Sequence, residues 1–432
     1  MKLTLKKSWA VGLAAALMAS AGAASAQDLS YIHAGRLLAD PATGRVTERQ
    51  TLVIENGKVK EIRDGFVGEG NVIDLSNKFV LPGFIDSHVH LGNQQGDGDR
   101  ASRFTNTAAD AALRGAQYAK ITLEAGFTTV ADLGGNTDAV IGLRNAVAQG
   151  RVPGPRILAS AGGVTPHGGH GDANGVSEAF VPLMRSTGVC SGPDDCRRAV
   201  RERVRSGADV IKITATGGVL SDTGAGLNQQ FSQAELEAIV ETAHFMGRRV
   251  TAHAHGTDGI NSFLRAGGDS IEHGTYLDNE SIRLFKQGNR YLVPTLLAGE
   301  FVAQEAARPG TFFTPNQRKK ALEAGPLMLD MARRAHAAGV KIAFGTDNGV
   351  APHGTNAREF QLYVQAGMTP LQAIQTATIN AADHFQLGNE IGRVTPGYAA
   401  DIIAVEGDPL QDVATLMNVN FVMRAGKVFK NQ

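Results

Sequence analysis

The stretch V-L-P-G-F-I-D-S-H-V-H, residues 80–90, decides how this chain is read. F-V-L-P-G-F-I-D (79–86) is a short apolar run of the kind that forms a buried strand, and it runs into D-S-H-V-H. Side chains alternate across an extended chain, so His88 and His90 emerge on the same side and can grip one divalent ion. Outward from this stretch, similar runs recur at T-T-V-A-D (128–132), R-I-L-A-S (156–160), D-V-I-K-I-T (209–214), R-V-T-A-H (249–253), S-I-E-H (270–273), Y-L-V-P-T (291–295) and K-I-A-F-G-T-D (341–347). Amphipathic helical stretches lie between them. S-Q-A-E-L-E-A-I-V-E-T-A-H (232–244) opens with Ser232 as N-cap and Glu235 at the capping-box position. Eight strands alternating with helices predict an α/β fold, a (β/α)8 TIM-like barrel over residues 79–391. A doubly wound sheet is the competing architecture, but no G-x-G-x-x-G follows the first strand.

The flanks read differently. L-V-I-E-N-G-K-V-K-E-I (52–62) is two alternating runs joined at Asn56-Gly57, a hairpin signal. A-D-I-I-A-V (400–405) and F-V-M-R-A-G-K-V-F (421–429), the latter turning at Ala425-Gly426, are also strand-like. Residues 27–78 and 392–432 are therefore expected to pair into one small β domain, a β-sandwich built from both chain ends. Residues 1–26 read as a signal peptide: Lys2, Lys6 and Lys7, an apolar run from Trp9 to Ala19, then Ala24-Ser25-Ala26 before Gln27. That run is short for a bilayer span and no later stretch is apolar enough, so the expectation is an exported, periplasmic or secreted protein without stable membrane insertion. In an oxidising compartment Cys190 and Cys196 are expected to form a small-loop disulfide rather than two free thiols.

Over 432 residues, 43% hydrophobic and 19% charged residues allow a large core and exclude global disorder. Lys+Arg and Asp+Glu are both 42, a balance that offers no electrostatic footprint for nucleic acid or an anionic membrane. Function is therefore sought at the strand ends, where barrels place their chemistry. His88, His90, Lys212, His253, His273 and Asp347 fall at the ends of the first, fourth, fifth, sixth and eighth strands. Alone, each has an ordinary structural role, such as a satisfied core histidine or a loop-capping aspartate. Together, at one end of one barrel, they point to a metal site. Lys212, in the apolar run V-I-K-I-T, would be repelled from cations as an ammonium. Burial lowers a lysine's pKa, and the neutral amine can take up carbon dioxide as a carbamate able to bridge two ions.

This set resembles the amidohydrolase superfamily, in particular its binuclear branch with a carboxylated lysine. V-L-P-G-F-I-D-S-H-V-H matches that family's first-strand signature, and G-R-V-T-P-G-Y-A-A-D-I-I-A-V (392–405) resembles its return to the small β domain. T-P-H-G-G-H-G, T-G-G-V-L-S and T-A-H-A-H-G carry a finer likeness to exported prolidase-like and carboxypeptidase-like members, including imidazolonepropionase-related and ochratoxin-hydrolysing ones. The resemblance implies two divalent ions, zinc being the expected metal. His88, His90 and Asp347 would hold the more buried ion, His253 and His273 the second, and carboxylated Lys212 would bridge them. It also implies a metal-bridging hydroxide as nucleophile and Asp347 as general base and then acid. His255 rivals His253 but is expected to stand behind it as a supporting partner.

His167 and His170, in a glycine-rich loop after the third strand, are expected to face substrate, with His170 donating to a carbonyl or carboxylate. Tyr276 is a further candidate pocket residue, and residues 217–228 a candidate flap. The predicted activity is hydrolysis of an amide or peptide-like bond in a small molecule, a dipeptide or N-acyl or aryl amino-acid amide, ochratoxin-type amides included. A cyclic-amide hydrolase, lactonase or phosphotriesterase could use the same metal set, and a non-catalytic scaffold is the alternative of a different class. The resemblance also leans towards a homo-oligomer.

Overall fold

The structure, a computed structural model, describes residues 29–96, 105–222 and 226–432. The signal segment expected at 1–26 lies outside the described residues. Phe84–Val89, Phe127–Asp132 and Arg156–Ala159 pair in parallel. Gly163–Pro166, Ile211–Thr214, Val250–Ala254, Ser270–His273 and Tyr291–Val293 form a second parallel run. Phe84–Val89, Ile211–Thr214, Val250–Ala254 and Ser270–His273 are buried along their whole length, as expected where helices cover the outside of a parallel barrel. The capping box at Ser232 and Glu235 forms as predicted and starts the helix Gln233–Phe245.

Three segments depart from the sequence reading. Residues 79–86 are not one barrel strand. The chain divides at Gly83, where an added Cβ would lie 2.3 Å from the Thr128 hydroxyl. Before it, Val72–Pro82 belongs to the small sheet and pairs antiparallel with Ile402–Val405. After it, Phe84–Val89 enters the barrel. The third strand breaks at Ala161 and Gly162, both at positive φ, into Arg156–Ala159 and Gly163–Pro166. The eighth segment, 341–348, is no regular strand yet closes the ring. Ala343 N–H donates to Leu292 O on one side, and Asp347 N–H to His88 O and His90 N–H to Asn348 O on the other. Gly345 allows this crowding, since a Cβ there would lie 2.3 Å from Val293.

The chain ends meet in one seven-stranded sheet. Its order runs from Lys427–Asn431 through Val419–Arg424, Ile402–Val405, Val72–Pro82, Leu29–Leu37 and Thr47–Glu55 to Lys58–Asp64. Ile32, Leu52, Val80, Ile402 and Phe421 share its core. The main core holds a cluster of Phe84, Phe127, Phe344 and Phe360, with ring centroids 4.6–5.5 Å apart in successive pairs. Each such burial contributes roughly 1.5–3 kcal/mol, so this packing holds the first and eighth segments in register under the site. Among the described residues no helix is long and apolar enough to cross a membrane.

Candidate metal centre

His88 and His90 leave the first strand on the same side, as alternation requires. Their Nε2 atoms are 3.3 Å apart. Asp347 Oδ1 lies 3.4 Å from His88 Nε2 and 3.1 Å from His90 Nε2. Asp347 reaches them because its backbone sits in the left-handed region, at φ 58°. His273 does likewise, at φ 71°. Such strain in a non-glycine residue costs on the order of 1–3 kcal/mol and collects at functional sites. Lys212 Nζ stands 3.4 Å from His88 Nε2, at the base of this group. On its other side the ligand atoms of His253, His255 and His273 lie within 4.8 Å of one another, as do those of His88, His90 and Asp347.

The rings are aimed by a layer of hydrogen bonds. Glu272, wholly buried, is 2.8 Å from His88 Nδ1 and is itself held by the hydroxyls of Thr251 and Ser270. Thr295 Oγ1 meets His273 Nδ1 at 2.7 Å, and Thr275 Oγ1 meets His255 Nδ1 at 2.8 Å. Asp86 accepts from His88 N–H, Thr346 N–H and Oγ1, and Asn356 Nδ2, tying the first strand to the eighth segment. With each Nδ1 engaged by this layer, the nitrogen that His88, His255 and His273 turn to the centre is Nε2.

Electrostatics agree with cation binding. Burial pushes His88, His253 and His273 well below the usual imidazole range, His255 to about 3 and His170 to about 4, so these rings are neutral near pH 7. Burial lowers the Lys212 ammonium as well, with Glu272 and Asp347 acting in the opposite sense. Burial alone would raise Asp347, but His88 and His90 hold it below its ordinary value. His88 Nε2 and Asp347 Oδ1 face each other at 3.4 Å, and the buried Asp347 Oδ1 has no hydrogen-bond partner among the described residues. A cation between them would give that oxygen a partner, and the His88, His90 and Asp347 ligand atoms already converge, so the residues fit a divalent ion.

The site opens into a cavity of about 750 Å³ lined by His170, Asp172, Asn174, Phe180, Val219 and Met328, among others. His170 stacks on His253 with ring centroids 4.4 Å apart, and its Nδ1 has no hydrogen-bond partner among the described residues. His255 is stacked on His273 at 4.8 Å, and its ligand nitrogen groups with those of His253 and His273. His167 and Tyr276 are corrections. His167 is exposed, contacts Arg185 Nη2 at 3.0 Å and does not line the cavity, because the glycines that follow turn the loop inward only at His170. Tyr276 lines a separate cavity of about 640 Å³, because its N–H bonds to His255 O and carries the chain away from the ligands. Cys190 and Cys196 are bonded, Sγ to Sγ 2.15 Å. Glu272 was not singled out from sequence. Its signal was an acid inside the short strand S-I-E-H, immediately before His273.

The barrel with histidines, lysine and aspartate at its strand ends defines a metal-dependent hydrolase. The sequence pattern of the amidohydrolase family matches residues 79–429, and the chain belongs to that family. It is a hydrolase acting on carbon–nitrogen bonds. It is 33% identical to an ochratoxinase of Aspergillus niger, over 93% of this chain and 87% of that protein. A solved Xaa-Pro dipeptidase with methionine bound in its active site superposes with a TM-score of 0.88 at 38% identity, over 93% of this chain and all of that one. A prolidase solved with N-methylphosphonate-L-proline gives 0.84 at 31%, over 94% and 100%.

Proposed function

We propose that this enzyme hydrolyses the amide bond of a dipeptide or N-acyl amino acid that ends in a free carboxylate, using two zinc ions and a carboxylated Lys212. The observation that carries this reading is the pair of ligand clusters, His88, His90 and Asp347 and His253, His255 and His273, meeting at Lys212 on the floor of one cavity. His88, His90 and Asp347 would hold one ion, and His253 and His273, with His255 beside them, the other. Bound there, the ions would activate water and polarise the scissile carbonyl. Asp347, kept ionised, accepts the water proton and delivers it to the departing nitrogen as the carbon–nitrogen bond breaks. His170, neutral and over His253, donates to the substrate's carbonyl or carboxylate oxygen.

The same reading takes Lys212 as a carbamate, since its burial favours the neutral amine that reacts with carbon dioxide. It takes the enzyme as exported, and the Cys190–Cys196 bond supports an oxidising compartment. Amino acid chemistry in the relatives, an Xaa-Pro dipeptidase holding methionine and a prolidase holding a proline phosphonate, supports the substrate class. The test is turnover of a panel of dipeptides, N-acyl amino acids and aryl amides by zinc-loaded protein, read as release of free amine. Cleavage of lactones or phosphotriesters alone would reject the amide reading. A chain that purifies without metal and stays inactive after metal is restored would reject the enzyme.

A further inference from the structure

The loop after Lys212 brings Val219 and Leu220 to the cavity while its backbone is gripped from outside. Lys320, on the helix Pro315–Ala324, is buried and donates from Nζ to the carbonyls of Gly218, at 2.6 Å, and Ser221. Gln317 Nε2 donates to Leu220 O at 2.7 Å, and Thr314, the cap of that helix, donates to Asp222 Oδ1 at 2.6 Å. The loop carbonyls point towards the helix and the two apolar side chains line the cavity. Gly218 itself lies against His170, where an added Cβ would be 2.2 Å from the ring.

Val219 and Leu220 belong to one apolar cluster with Val302 and Val350. Val350 N–H bonds to Asp347 O, so this wall begins beside a proposed metal ligand. Val302 lies one turn beyond Ala298 on the helix Leu296–Ala307, whose cap Thr295 holds His273. Ala298 and Met328 continue the wall. Burying the Lys320 ammonium carries a desolvation cost that its hydrogen bonds to the two loop carbonyls offset, and making those bonds fixes the shape of the loop.

We propose that this wall is a subsite for a large apolar side chain of the substrate, next to the scissile bond, and that Lys320 and Gln317 are positioning residues that hold it in shape. The inference rests on the amide-hydrolase reading and adds the side-chain class. Val219, Leu220, Val302, Val350 and Met328 offer no strong hydrogen-bonding group, while Asp222 and Gln317 at the margin of the same cavity are engaged with Thr314 Oγ1 and Leu220 O.

The test uses zinc-loaded full-length protein and matched dipeptides and N-acyl amino acids carrying Gly, Ala, Met, Leu or Phe on either side of the bond. The expected result is a kcat/KM for Met, Leu or Phe at one position at least about tenfold above Gly, given what a single methylene is worth in an apolar pocket. Val219→Thr, close in shape but polar, should cut that ratio by about tenfold. Lys320→Met should also cut it, mainly by raising KM for the large side chains, and should speed hydrogen exchange of the amides at 218–222. A flat ratio in the parent protein overturns the subsite. So does an unchanged ratio in both variants when they fold and load metal normally. Failure to cleave any member of the panel rejects the amide reading itself and the subsite with it.

Discussion

Glu272→Gln separates metal binding from folding. Glu272 lies 2.8 Å from His88 Nδ1, and neither side chain is exposed to solvent. Its other oxygen is held by the hydroxyls of Thr251 and Ser270. Glutamine keeps the volume and can satisfy the same neighbours, but it removes the negative charge that fixes the tautomer of His88 and raises the basicity of Nε2. Loss of such an outer-shell carboxylate typically weakens metal binding by about 10–100-fold, or about 1.4–2.7 kcal/mol. Folding should respond in the opposite sense. Burial raises the Glu272 carboxyl above its ordinary value, which means the folded chain pays for keeping it ionised, and a neutral amide removes that cost. The metal-free variant should therefore unfold at the same temperature as the parent or higher, while the zinc-loaded variant unfolds lower. Competition against a chromophoric chelator gives the affinity, and calorimetry with and without zinc gives the two midpoints. Unchanged zinc affinity would refute the reasoning, as would a metal-free variant that unfolds well below the parent.

Lys212→Ala should lose metal and activity beyond the ~10–100-fold typical of outer-shell partners, and short carboxylates such as formate or propionate should restore part of both; normal metal loading without them would sink the bridging role. Replacing Cys190 and Cys196 together by alanine opens a loop with a sequence separation of 6 and should cost about 2 kcal/mol, read as a lower urea midpoint under non-reducing conditions. The His244 side chain, 2.8 Å from Asp269, has its pKa raised above 6.5 chiefly by that hydrogen bond. Its contribution is complete below pH 6.5 and is lost as pH rises through the higher folded value. His244→Gln should thus be less stable than the parent at pH 6 by under about 1 kcal/mol and indistinguishable from it at pH 9, as urea titrations at the two pH values will show.

Alternation in D-S-H-V-H, the recurrence of short apolar strands and the chemistry of the residues at their ends were local properties, and they were enough to predict the barrel and to nominate His88, His90, Lys212, His253, His273 and Asp347. What needed the tertiary structure was every relation between distant segments. The 79–86 run divides at Gly83, where a Cβ would collide with Thr128, a neighbour no local pattern reveals. The eighth segment closes the ring through irregular bonds and a left-handed Asp347, although its sequence reads as an ordinary strand. His167 and His170 are three residues apart in one glycine-rich loop, yet only His170 enters the cavity, because loop direction depends on what the loop packs against. Glu272 and Lys320 act across 184 and roughly 100 positions of sequence, on His88 and on the loop at 218–221. Periodicity and residue type report what a segment can do locally; which ring a buried carboxylate orients, and which loop a buried lysine holds, is decided only when long-range packing brings them within hydrogen-bonding distance.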